Sequence, residues 1–92
     1  MTNMNGNLLQ HIISILPSQK HKRYTVTSPN TDFTNKIQID ILDSTGNEIS
    51  GSTAQKLAAN AYEVNLTALP IGVYHLRVLD GETYFIKRII LQ

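Results

Sequence analysis

The chain contains no cysteine, three prolines and a charged fraction of only 16% in its 92 residues, and each shortage narrows what it can be. Without cysteine, a domain of this size has to stand without disulfides, and cysteine usage says nothing about redox compartment. The formal net charge is +1, so no strong field draws the chain to nucleic acid or to an anionic membrane surface. Long apolar runs are also missing. The longest, Leu8 to Leu16, is broken by Gln10, His11 and Ser14 and falls short of the ~20 residues of a membrane helix. A secretory leader carries its basic residues ahead of an apolar run. Here Lys20 to Arg23 follow the run, so no signal peptide is expected within this chain, which would then be trimmed or a fragment if it is exported.

What remains is a chain rich in alternation. Met1 to Asn7 has no apolar period and is expected to be a mobile tail, leaving residues 8–92 as a single domain. Between Leu9 and Leu16 the residues Ile12, Ile13 and Leu16 fit a helical stripe, but the density of β-branched side chains favours a strand, and Pro17 ends either one. Tyr24 to Thr27 alternates and is stopped by Ser28-Pro29-Asn30. Lys36 to Leu42 places Ile37, Ile39 and Ile41 on one face and Gln38 and Asp40 on the other, the pattern of a strand with one wet face. Asp43 to Asn47 reads as a turn with Asp43 capping it and Gly46 free to take positive φ; Glu48-Ile49 begins a short return.

The stretch Thr53 to Ala59 has helix propensity but is too short to nucleate alone, so a strand through Gln55 to Leu57 and a turn at Ala59-Asn60 are predicted. Tyr62, Val64 and Leu66 alternate again. Val73 to Leu79 and Thr83 to Leu91 are read as the last two strands, joined at Asp80-Gly81 by a type I′ hairpin turn. About seven strands at roughly ten-residue spacing predict an all-β, immunoglobulin-like antiparallel sandwich.

The corner from Leu66 to Val78 has a physical reading of its own. Leu69 turns into the core, Pro70 and Gly72 fix a sharp change of direction, and Tyr74, Leu76 and Val78 share one face of the next strand. A tyrosine just after such a corner buries its ring and returns its hydroxyl to backbone upstream. These residues, with Ile39, Ile41, Asp43, Gly46 and Ile49 before them, Val64 between, and Lys87, Arg88, Ile89, Ile90 and Gln92 after them, resemble the type A C-terminal sorting domain of type IX secretion substrates in Bacteroidetes. The likeness runs from Ile39 to Gln92. Domains of this family open on a Y-P-N-P-like motif, which is best aligned with Leu16-Pro17-Ser18-Gln19. The alternative, Ser28-Pro29-Asn30-Thr31, leaves too few residues before Ile37.

The resemblance implies a non-catalytic signal recognised by an outer-membrane secretion shuttle and a sortase-like protein, with cargo secreted or held at the cell surface by way of the periplasm. Under it, Lys87, Arg88, Ile89, Ile90, Leu91 and Gln92 form the partner-binding end. The two cations would orient it and the apolar residues would supply the buried contact, by addition of an edge strand to a partner's sheet. The same edge would allow self-association. The bland alternative makes Lys87 a solvated side chain and Ile89 and Leu91 core.

No enzymatic chemistry is signalled. His11, His21 and His75 lack metal-ligand spacing, Asp43 with Asn47 lacks the oxygen density of a calcium loop, and no nucleophile elbow or phosphate-binding glycine loop occurs. Neither a cofactor nor a metal is expected, and Lys20-His21-Lys22-Arg23, with no interleaved aromatics beyond Tyr24, reads as a loop or strand entry and not as a nucleic-acid patch. The rival to a sorting role is an adhesion or carbohydrate-binding module of the same fold. It would need an exposed pair among Tyr62, Tyr84 and Phe85.

Overall fold

The structure, a computed structural model, describes residues 12–92. The expected tail at Met1 to Asn7, and His11, lie outside the described residues. Among the described residues eight strands form: β1 (Ser14–Pro17), β2 (Arg23–Thr27), β3 (Gln38–Asp43), β4 (Glu48–Ile49), β5 (Thr53–Ala58), β6 (Ala61–Asn65), β7 (Gly72–Asp80) and β8 (Thr83–Leu91). They make two antiparallel four-stranded sheets, ordered β1-β2-β6-β5 and β4-β3-β7-β8. This is the immunoglobulin arrangement, with the two-residue β4 as an addition beside β3. Helix propensity in Thr53 to Ala58 is overridden because pairing with β6 satisfies the backbone of that segment.

Alternation sets the core. Ile13 and Ile15 of the first segment, Val26, Ile41, Val64, Leu66, Leu76, Val78, Ile89 and Leu91 are all buried between the sheets. Ile12 and Leu16 point outward, so the period is that of a strand and the helical stripe is not realised. Each fully buried Leu or Ile contributes roughly 1.5–3 kcal/mol of transfer free energy. Thus Leu66 and Leu76, at 0% exposure, belong to the most stabilising part of the molecule.

The corner closes as expected. Leu69 is buried, and the Tyr74 hydroxyl donates to the Pro70 carbonyl at 2.8 Å. Lys22, which sits at φ 55° in the turn after β1, donates from Nζ to the Leu69 carbonyl at 2.7 Å, while its own carbonyl accepts from the Leu66 amide at 2.9 Å. One residue of the basic run therefore holds the corner on both sides.

Two expectations are corrected. The outer face of β3 is not fully wet: Leu42 and Asp40 are both buried. Arg77 on β7 lies directly opposite Asp40, with Nη2 2.8 Å from Oδ2, and the Gln38 side-chain amide donates to the same oxygen at 2.9 Å. The bond to Asp40 raises the Arg77 pKa above its ordinary value, and Glu48 lies 3.6 Å away on the other side. Secondly, the last hairpin turns one residue later than Asp80-Gly81. Asp80 pairs with Thr83, so Gly81 and Glu82 form the loop, and only Gly81 has positive φ (63°). That is the backbone pattern of a type II′ turn, with glycine at the first central position. Asp80 is released for another task. It is 3% exposed, and its carboxylate accepts from the Thr34 amide at 3.1 Å and from the Thr34 hydroxyl, pinning the crossover from β2 to β3.

Candidate functional site

A sandwich of two open sheets has four edges, and three of them are blunted. β1 is four residues long and ends on Pro17; β4 has only two residues; β5 carries Lys56 and a register break between Lys56 and Ala58. Short strands, proline, lysine and bulges are the devices that keep an edge from pairing with another chain. The fourth edge is β8. It has nine residues and pairs with β7 in unbroken register from Asp80↔Thr83 to Gly72↔Leu91.

The geometry of that edge follows from the hairpin. A two-residue loop is closed by a hydrogen-bonded pair, and along an antiparallel ladder such pairs alternate with pairs whose backbone groups face away. Starting from Asp80 and Thr83, the N–H and C=O groups of Tyr84, Ile86, Arg88 and Ile90 therefore point to the open side. The Ile90 carbonyl accepts there from the Tyr24 hydroxyl, at 3.4 Å. The side chains of these same four residues stand on the outer face. Tyr84, Ile86 and Ile90 are 58%, 41% and 48% exposed, with Arg88 between them.

The expected partner-binding end, Lys87 to Gln92, is thus divided by the pleat. Arg88, Ile90 and Gln92 are exposed. Ile89 and Leu91, expected among the apolar contacts for a partner, are each 3% exposed and belong to the chain's own core, because they sit on the face of β8 shared with Phe85. Lys87 has the same inward parity, opposite Leu76, but it is exposed. Its stem runs to the mouth between the sheets, and its ammonium donates to the Ile15 carbonyl at 2.8 Å. The pair Ser18–Arg23, with the Ser18 amide donating to the Arg23 carbonyl, makes Ile15 an outward-facing position of β1 by the same alternation. Lys87 therefore links the open edges of the two sheets.

Tyr84 and Ile86 were not among the expected partner residues. The signal was present in composition: Tyr84-Phe85-Ile86, then Ile89-Ile90-Leu91, is apolar at both parities, as in strands covered on both faces. Here nothing among the described residues covers the outer face. Of the aromatic residues proposed as a carbohydrate platform, Tyr62 packs edge-to-face on Phe33 at 5.7 Å and Phe85 packs on the core, leaving Tyr84 alone exposed. Among the described residues no three metal-ligating side chains gather, and no helix is long and apolar enough to cross a membrane. Asp43, at the end of β3, accepts from the Thr45 hydroxyl (2.7 Å) and from the Thr45 and Asn47 amides (both 2.9 Å). These bonds, the Thr45 hydroxyl first, hold its carboxyl below the usual range, so its role is to brace the turn.

A braced sandwich with one long, regular edge and an exposed apolar face beside it has the geometry that protein recognition by an edge strand requires. The chain belongs to the secretion system C-terminal sorting domain family, whose model matches residues 15–92. No curated protein matches the chain. Membership makes this a C-terminal sorting signal for type IX secretion, a system of Bacteroidetes, and a domain of a non-catalytic kind whose cargo is exported.

Proposed function

We propose that the secretion machinery reads this domain at β8, first through an outer-membrane shuttle and then through a sortase-like enzyme, after passage of the cargo through the periplasm. The observation that supports this is the contrast among edges: among the described residues, β8 alone is long, regular and flanked by exposed apolar side chains. Within the expected terminal segment the contact residues are Arg88, Ile90 and Gln92, joined by Tyr84 and Ile86. Ile89 and Leu91 support them from the core, and Lys87 ties β8 to the Ile15 carbonyl.

Deleting Lys87 to Gln92 is a poor test, because it removes two core side chains and so does not separate loss of recognition from loss of fold. The discriminating variant is Tyr84→Ser/Ile86→Ser/Ile90→Ser, which leaves the inner face intact. Behind a reporter in a type IX-competent cell, this variant is expected to fold and to lose export. Normal export of the folded triple variant removes β8 as the recognised surface.

A further inference from the structure

We infer that the partner contributes a β-strand that adds to the open edge of β8 along Tyr84 to Ile90, and that this strand is acidic and belongs to a different protein. The inference rests on the reading of β8 as the recognised element and specifies how it is read. Three observations carry it. The first is the row of backbone donors and acceptors at Tyr84, Ile86 and Arg88 that point away from β7 and meet no partner among the described residues, continuous with the exposed side chains of the same residues. An added strand would satisfy those groups and, with its alternate side chains, cover Tyr84, Ile86 and Ile90.

The second is charge. Thr83 to Gln92 contains Lys87 and Arg88 and no acidic side chain. A strand laid beside them meets one cation on each face, Lys87 at the mouth of the sandwich and Arg88 outside. Opposite charges directly across a strand pair are favourable and like charges unfavourable. An acidic residue at either position is therefore selected.

The third excludes a second copy of this chain. In the antiparallel register that overlaps all nine residues of two β8 strands, Lys87 falls opposite its own counterpart. That pair is of the kind whose backbone groups face away, where side chains come closest. An inward-pointing charge at mid-strand is a known protection against edge-to-edge pairing. Lys87 thus guards β8 against itself while leaving it open to an acidic strand.

The test separates edge from face. Ile86→Pro removes one outward N–H without touching the ladder to β7, since proline is tolerated at such edge positions; Ile86→Ala removes the side chain and keeps the N–H. With reporter export as readout and thermal unfolding to verify the fold, the proline variant is expected to be exported about tenfold less than the alanine variant, whatever the loss of the side chain itself costs. Equal export by the two overturns strand addition, even where the triple serine variant is not exported and β8 recognition stands. Should Ile86→Pro not fold, Arg88→Pro against Arg88→Gln provides the same comparison. In vitro, a blocked valine–threonine strand peptide with a central glutamate is titrated into the full chain beside its lysine counterpart. The glutamate peptide is expected to shift the amides of Tyr84, Ile86 and Arg88 selectively. Equal response to both peptides overturns the acidic specificity. A parent chain that sediments as a dimer paired through β8 overturns the assignment to a different protein.

Discussion

β5 and β8 are both outermost strands of four-stranded sheets, yet they meet solvent in opposite ways. All six residues of β5 are exposed, its sequence Thr-Ala-Gln-Lys-Leu-Ala offers small and polar surface, and its register breaks after Lys56. β8 sends Ile89 and Leu91 into the core and exposes Tyr84, Ile86 and Ile90, with an unbroken register. An edge that only has to end a sheet needs protection from stray pairing, and β5 has it. β8 gives up most of that protection and retains a single inward lysine. The difference separates an edge that terminates the fold from one kept open for a partner.

The largest effect that could break this contrast is on export. A single charge on the uncovered face, Ile90→Glu, is expected to cut reporter export about tenfold or more while leaving the inner face packed. Leu57→Glu in β5, at 54% exposure a comparable site, is expected to leave export unchanged. Equal losses from the two would mean that export senses general surface polarity, and the two edges would be functionally alike.

Stability should divide the strands in the same direction. Ile89→Ala removes a side chain that is 3% exposed and is expected to cost about 2–5 kcal/mol of unfolding free energy. Leu57→Ala, with no core contact to lose, should remain within about 0.5 kcal/mol of the parent. Denaturant unfolding of the two variants measures both. A small loss for Ile89→Ala would place β8 outside the cooperative core and weaken the claim that its inner half is structural.

What was legible in the sequence follows the range of the interactions involved. The tyrosine corner could be read because Leu69, Pro70, Gly72 and Tyr74 lie within one short segment, and the bond from Tyr74 spans only from its hydroxyl to Pro70. The faces of β8 could have been read as well. Moving the hairpin loop from Asp80-Gly81 to Gly81-Glu82 shifts every partner by two residues and so preserves which side chains point inward. Propagating Tyr74, Leu76 and Val78 across either loop puts Lys87, Ile89 and Leu91 inside. The pair of Asp40 with Arg77 and the tie from Lys87 to Ile15 could not be found this way, because each joins segments far apart in the chain through the packing of strands. The position of the turn was missed for the same reason: Asp80 resembles a turn residue locally, and its partner Thr34 lies 46 residues away.

Two aspartates at strand ends sharpen the comparison of hairpins. Asp80 closes β7 from a buried position and holds a remote crossover; Asp43 closes β3 in solvent and holds only its own turn. Asp80→Ala leaves the Thr34 amide without its acceptor and is expected to cost about 1–3 kcal/mol in thermal or denaturant unfolding. A change near zero would show that the crossover does not depend on it.

The smallest effect belongs to Asp43. Its carboxyl is held below the ordinary value in the folded chain, so the associated stabilisation is present above the unfolded-state pKa of about 3.9 and is lost as pH falls through the lower folded-state value. Exposure keeps the contribution slight, and it should appear only on the acid limb of a stability profile. Thr45→Ala removes the bond that contributes most to the shift, so the Asp43 titration midpoint, followed by carboxyl NMR, is expected to move up toward that of an unstructured aspartate. A midpoint that does not move on this substitution would assign the depression to the Asn47 and Thr45 backbone amides alone. The β3–β4 turn would then owe its order to backbone geometry around Gly46, and the contrast with the side-chain anchor at Asp80 would be greater than drawn.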